Sequence, residues 1–202
     1  MISLNETGNR FRAVWEITLG DSSKLRLLDI SSSGFKTSFQ AIPVALVPFF
    51  LRWICVIQIM ADMPGDFTYS SILIRTVFID LCQWIIPLML IIAASGLLGI
   101  RDRIIAFVVA YNWSKAFIEW LYVPLIALQL VLPKAYILHW LCNNFLLVIS
   151  VIILYRLFQA ALNKKNSYML PFIILYSIIS IFVFIISLET VGWLPLMITA
   201  NP

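Results

Sequence analysis

Residues Ile104 to Val131 read IIAFVVAYNWSKAFIEWLYVPLIALQLV, an almost unbroken apolar run that nevertheless holds Lys115 and Glu119. At about 1.5 Å per residue a run of this length crosses the roughly 30 Å of a bilayer's hydrocarbon. An ionisable side chain near the bilayer centre costs roughly 2.5–3.5 kcal/mol on insertion scales, so it faces the inside of a bundle and takes a partner. Arg52 and Asp80 pose the same problem in the two apolar runs that come before.

Working outward, four further segments are long enough to span: Ser38–Met60, Val77–Gly99, Ala135–Phe158 and Tyr168–Leu188. The chain is 62% hydrophobic and 12% charged, with mean hydropathy +0.98. A soluble domain carries about a quarter charged residues. The expected fold is therefore an all-α integral membrane protein with five transmembrane helices. Its parts are a cytoplasmic segment over 1–37, a membrane domain over 38–192 and a short external tail over 193–202. The third span exceeds a straight crossing and contains Pro124, so it is expected to tilt or kink.

The connections sort by charge. Arg10, Arg12, Lys24, Arg26 and Lys36 precede the first span, Arg101 and Arg103 fill the turn before the third, and Arg156, Lys164 and Lys165 flank the turn before the fifth. The opposite side has Arg75 and Lys134, with Asp62, Asp66 and Glu189. Lys and Arg collect on the cytoplasmic side, which places the N-terminus inside and the C-terminus outside. Trp53, Tyr69, Trp140, Tyr168 and Trp193 fall near expected interfaces, where amphipathic rings are favoured. This topology accounts for most of the basic residues behind the formal charge of +4, so no nucleic-acid partner is inferred. The residues before Thr37 hold no apolar core of the signal-peptide kind, and the first span is expected to act as the signal. The ending Thr199-Ala200-Asn201-Pro202 matches no retention or lipidation signal.

Between Arg10 and Leu19 the pattern is amphipathic, with Phe11, Val14, Trp15 and Thr18 on one face at helical spacing. Two placements are open. The helix lies in the plane of the cytoplasmic leaflet, with Phe11 and Trp15 buried in lipid and Arg10 and Arg12 at anionic headgroups, or it packs against the protein's own turns. Gly20-Asp21-Ser22-Ser23 breaks the pattern ahead of a second short helix, and Ser31-Ser32-Ser33-Gly34 is the last punctuation before the membrane.

Polar residues inside the spans fall into stripes. Asn112, Lys115, Glu119, Tyr122 and Gln129 share one face of the third helix, and His139, Asn143 and Ser150 recur along the fourth. The second span holds Asp80, Gln83 and Pro87, and the fifth holds Ser177, Ser180 and Ser187. Ser95-x-x-x-Gly99 reads as a small-residue helix contact. Arg52 lies roughly 21 Å into a span that starts inside. Asp80 descends from the outside, so the two meet in the outer half of the bilayer. Lys115 and Glu119, one turn apart, are placed to pair within their helix.

The stripe admits two readings. One is a set of paired structural charges that fix helix register, since an unpaired charge in low dielectric is costly. The other is a polar chamber that opens outward and holds an ion, a proton or a small polar solute. His139 is the sole histidine, the residue type suited to proton handling at physiological pH. No phosphate loop, HExxH, CxxC or GxSxG motif is present. Glu119 with His139 is the nearest acid–base pair, and no nucleophile accompanies it. Cys55, Cys82 and Cys142 are widely spaced and read as small apolar residues, so no metal, cofactor or disulfide is expected. Five spans do not divide into two equal inverted repeats.

The run Leu28-Asp29-Ile30-Ser31-Ser32-Ser33-Gly34-Phe35-Lys36-Thr37-Ser38-Phe39 leads into the first span, and Tyr111-Asn112-Trp113-Ser114 precedes Val123-Pro124-Leu125 in the third. With the five-span layout, these resemble small alphaproteobacterial inner-membrane proteins described as similar to the Yip (Ypt-interacting protein) family. The Asp-Leu-Tyr-Gly-Pro element and Tyr-Gly-Tyr signature of eukaryotic Yip proteins are absent. The resemblance therefore implies fold, topology and a bacterial inner-membrane location; no GTPase partner and no binding residue are carried over from it. The leading expectation is a non-enzymatic interaction, assembly or membrane-organisation component, whose partners are the lipid bilayer and another membrane protein or a second copy. The alternative is a small transporter or channel that uses the polar stripe.

Overall fold

The computed structural model describes residues 3–61 and 68–191, with side chains for 3–58 and 68–191. Asp62, Asp66, Trp193 and the tail over 193–202 lie outside the described residues. Among the described residues the chain forms helices and no strand: α1 (Leu4–Thr18), α2 (Ser32–Ser38), α3 (Ala41–Ala61), α4 (Tyr69–Ala93), α5 (Ile104–Val131), α6 (Tyr136–Leu162) and α7 (Asn166–Thr190). Short 3-10 turns cover Ser22–Leu28 and Arg101–Arg103. Five helices are long and apolar enough to cross a membrane, the first taking in α2 and α3 together. This is a polytopic helical membrane protein.

The second span sits earlier than its apolar run suggested. The Thr68 hydroxyl accepts from Ser71 N at 3.3 Å and caps α4, so Arg75 is absorbed into the helix rather than marking its edge. A long cationic side chain near a helix end reaches polar surroundings by extending along the helix. At the other end α4 stops at Ala93. Ser95 then lies in the closing turn, its carbonyl accepting from Ile100 N at 3.0 Å, with Gly99 at φ +59°. Ser95 and Gly99 thus end the helix and form no interhelical stripe.

α5 is the centre of the bundle. Every residue from Ala106 to Ser114 is buried, which requires protein on all sides of the helix. It packs most extensively against α3 and α6, with α2 and α1 covering the same half. Phe107, Tyr111, Phe158, Phe172 and Tyr176 form one aromatic cluster with ring centroids 4.8–6.4 Å apart. Such offset and edge contacts add to the value of the buried area.

α1 packs against α5, α6 and the Ser22–Leu28 turn, the second of the two placements read from its sequence. A capping box joins Ser3 and Glu6 at its start. Ala13, Val14 and Ile17 are almost fully buried, and Phe11 meets Trp113 and Phe117 edge-on at 6.4 and 5.4 Å. Trp15 remains 46% exposed. Arg10 donates to the Leu27 carbonyl and lies 6.0 Å from the centre of the Trp113 ring. Glu16 links Arg12 at 2.7 Å to Lys24 at 3.2 Å. Hydrogen bonds from Arg12 and then Lys24 hold the Glu16 carboxyl below its usual range. Of the residues expected at a lipid surface, Phe11 and Arg10 contact the protein itself, while Trp15 and Arg12 stay exposed.

Gly34 is set by close approach. The Ser31 hydroxyl accepts from Gly34 N at 3.1 Å to cap α2, and a Cβ on Gly34 would collide with the Asp29 backbone carbonyl.

Candidate functional site

Three spanning helices meet at Arg52. Its Nη2 donates to Asp80 Oδ1 on α4 at 2.7 Å, and its Nη1 donates to Glu119 Oε2 on α5 at 2.6 Å. Asp80 is held from the other side too, because the Trp53 indole N–H donates to Oδ2 at 2.7 Å. The guanidinium carbon lies 4.9 Å from the centre of the Phe49 ring, which stacks on Trp53. Arginine suits this role because its planar fork serves two carboxylates at once. The side chains of Asp80 and Glu119 are 14% and 11% exposed and that of Arg52 is 31% exposed, so the pairs are largely withdrawn from solvent.

Glu119 therefore pairs across helices with Arg52, and not within its own helix as the spacing to Lys115 suggested. Lys115 makes no ion pair or hydrogen bond among the described residues. It faces two cavities instead. One, of about 320 Å³, is bounded by Phe49, Asp80, Gln83, Trp84 and Phe184. The other, of about 460 Å³, lies between α3, α5 and α6 and includes Tyr122, Gln129, Asn143 and Ser150. The two share Arg52, Lys115 and Glu119, so this trio stands between them. From Lys115 to Gln129, in the last turns of α5, the larger cavity follows about 21 Å of helix.

Asn112 belongs to a different arrangement. It is fully buried, accepts from Trp84 Nε1 at 3.1 Å and donates to Ser38 Oγ at 3.0 Å, and Ser38 in turn donates to the Phe35 carbonyl at 2.8 Å. This buried chain locks α2, α4 and α5 together; Asn112 itself lines neither cavity, and Trp84 borders the smaller one. His139 lines neither cavity, and its Nε2 is buried without a hydrogen bond among the described residues. The expected stripe thus divides: Lys115, Glu119 and Asn143 line a cavity, Asn112 is structural, and His139 lies elsewhere.

Sequence reasoning missed three partners, Trp53, Trp84 and Ser38. Trp53 adjoins Arg52, and Trp84 follows Asp80 by one turn, so a search for indole donors beside intramembrane charges would find both. Among the described residues no three His, Cys, Asp or Glu side chains converge to hold a metal ion. Comparison with known proteins finds no match: no family model, no curated protein and no solved structure is significantly similar to the chain.

Proposed function

We propose that this membrane protein binds a small polar solute in the cavity between α3, α5 and α6, and passes it across the bilayer by a non-covalent mechanism. The carrying observation is Lys115: an intramembrane ammonium with no ion-pair partner among the described residues, at the floor of a cavity of about 460 Å³. A cavity of this size is in the ordinary range for small ligands. A charge kept without a protein partner in low dielectric is best matched by water or a ligand. In this reading the Arg52–Glu119 bond partitions the two cavities, and passage requires it to open. The distribution of Lys and Arg turns the α5–α6 end outward, and the resemblance to small bacterial inner-membrane proteins implies that membrane as its place.

The test is water access. In a Cys55→Ala, Cys82→Ala, Cys142→Ala background, Asn143→Cys is treated with a membrane-impermeant thiol reagent in intact cells and in inverted vesicles. Labelling from the outer side is expected. Absence of labelling from either side means a dry cavity and ends the proposal; labelling from the inner side alone reverses the orientation.

A second reading, an interaction or assembly component of the Yip-like kind, draws on one observation. Between Tyr136 and Val148, α6 leaves Tyr136, Ile137, Leu138, Trp140, Leu141, Phe145, Leu147 and Val148 exposed round most of the helix. That half helix is a surface for another transmembrane helix, and constant co-purification of one membrane protein in mild detergent is its expected outcome.

A further inference from the structure

Two groups in the larger cavity have spare capacity, and they are of opposite charge. Lys115 offers an ammonium with three N–H donors and no acceptor among the described residues. Glu119 spends Oε2 on Arg52, while its Oε1 takes no hydrogen bond among the described residues and is not fully buried. The two residues are four apart on α5, so their Cβ atoms are about 6 Å from one another. Their charged ends nevertheless do not close into an ion pair. Asp80 has no such capacity, because Arg52 occupies Oδ1 and Trp53 occupies Oδ2.

The charge balance of the cluster restricts the ligand. Arg52 and Lys115 against Asp80 and Glu119 sum to zero. A simple anion or cation would bring an uncompensated charge into low dielectric, which is disfavoured. A neutral sugar-like solute would bring no charged group to either Lys115 or Glu119 Oε1. A ligand that is neutral overall but carries both charges matches both open groups. The apolar part of the wall is formed by Val56, Ile118, Leu125, Ile126 and Leu154, beside the polar Tyr122, Gln129, Asn143 and Ser150.

We propose that this cavity takes a zwitterion of the α-amino-acid kind with an apolar side chain, its carboxylate on Lys115, its ammonium on Glu119 Oε1 and its side chain against the apolar wall. The proposal rests on the solute-binding reading above and names the ligand of that same site. An α-amino acid carries both charged groups on one carbon, so a single small molecule reaches two residues one helical turn apart.

The probes are L-phenylalanine, 3-phenylpropanoate, which lacks the ammonium, and 2-phenylethylamine, which lacks the carboxylate. Each is tested for protection of Asn143→Cys from the impermeant reagent, and for binding to the otherwise unaltered protein by calorimetry in nanodiscs. L-Phenylalanine is expected to protect, with each single-charge analogue about tenfold or more weaker. Lys115→Met breaks no ion pair among the described residues, and it should erase the preference for L-phenylalanine over 2-phenylethylamine while leaving the melting temperature near that of the parent. Equal protection by either analogue, or no protection by any probe at a residue that is labelled, overturns the zwitterion while the water-filled cavity stands. A residue that is never labelled overturns the solute reading and the inference together.

Discussion

Arg52 Nη1 lies 2.6 Å from Glu119 Oε2, a bond that ties α3 to α5 across 67 positions of sequence. With the bond to Asp80 it makes one guanidinium the meeting point of three spanning helices. Buried charge pairs of this kind specify which faces meet more reliably than they stabilise, because desolvation offsets much of the attraction.

Removing Arg52 alone leaves two carboxylates in low dielectric. Arg52→Leu is expected to destabilise by about 3–5 kcal/mol. The triple change Arg52→Met, Asp80→Asn, Glu119→Gln removes the three charges joined by ion pairs and should recover most of that loss. Exchange of charge between positions 52 and 80 should not recover it, since the aspartate placed at 52 then faces Glu119. Thermal midpoints in detergent, followed by size-exclusion recovery, decide the order; a fully restored exchange variant would show that Glu119 is not part of the cluster.

The Trp84–Asn112–Ser38 chain should be worth more than its exposed counterparts. Asn112→Leu strands the Trp84 N–H, and a loss of about 1–3 kcal/mol is expected. Trp84→Phe combined with Asn112→Leu should cost less than the sum of the single changes, because the residues share one bond. His139→Gln, outside both cavities, should leave stability and solute binding unchanged. Strict additivity of the Trp84 and Asn112 changes would refute the direct coupling.

Gly34→Ala should be among the most damaging small changes in the chain. The new methyl group meets the Asp29 backbone carbonyl, which has no rotamer by which to withdraw. Overpacking of this kind costs about 1–3 kcal/mol or more. The expected outcome is a loss of folded yield together with faster amide exchange over Asp29–Ser38. A variant with parent-like yield and exchange contradicts the contact.

Acid should loosen α1 before the bundle. The Glu16 carboxyl is lowered by hydrogen bonds from Arg12 and Lys24, and Asp29 chiefly by the Ser31 hydroxyl. A carboxyl whose folded-state pKa is depressed contributes stability above its unfolded pKa and loses it as pH falls through the folded one. The contribution is therefore full at neutral pH and fades below the ordinary carboxylate range. Hydrogen exchange over Leu4–Leu28 should rise there, and less steeply in Glu16→Gln. An identical acid response in that variant would assign the effect elsewhere.

What the sequence by itself determined is the class and its layout. Apolar runs of spanning length need no tertiary information, because the bilayer sets the length and a helix satisfies its own backbone. Intramembrane charges likewise mark inward faces wherever they occur. Partner choice was decided only by the tertiary structure. Spacing allowed Lys115 to reach Glu119, yet the approach of α3 brings a bidentate arginine within 2.6 Å and leaves the lysine to the cavity. Asn112 and Glu119 share a helix face, but packing seals the first against Trp84 and Ser38 and leaves the second beside open space. Periodicity places a side chain on a face, and only the neighbouring helices determine whether that face meets protein or a void.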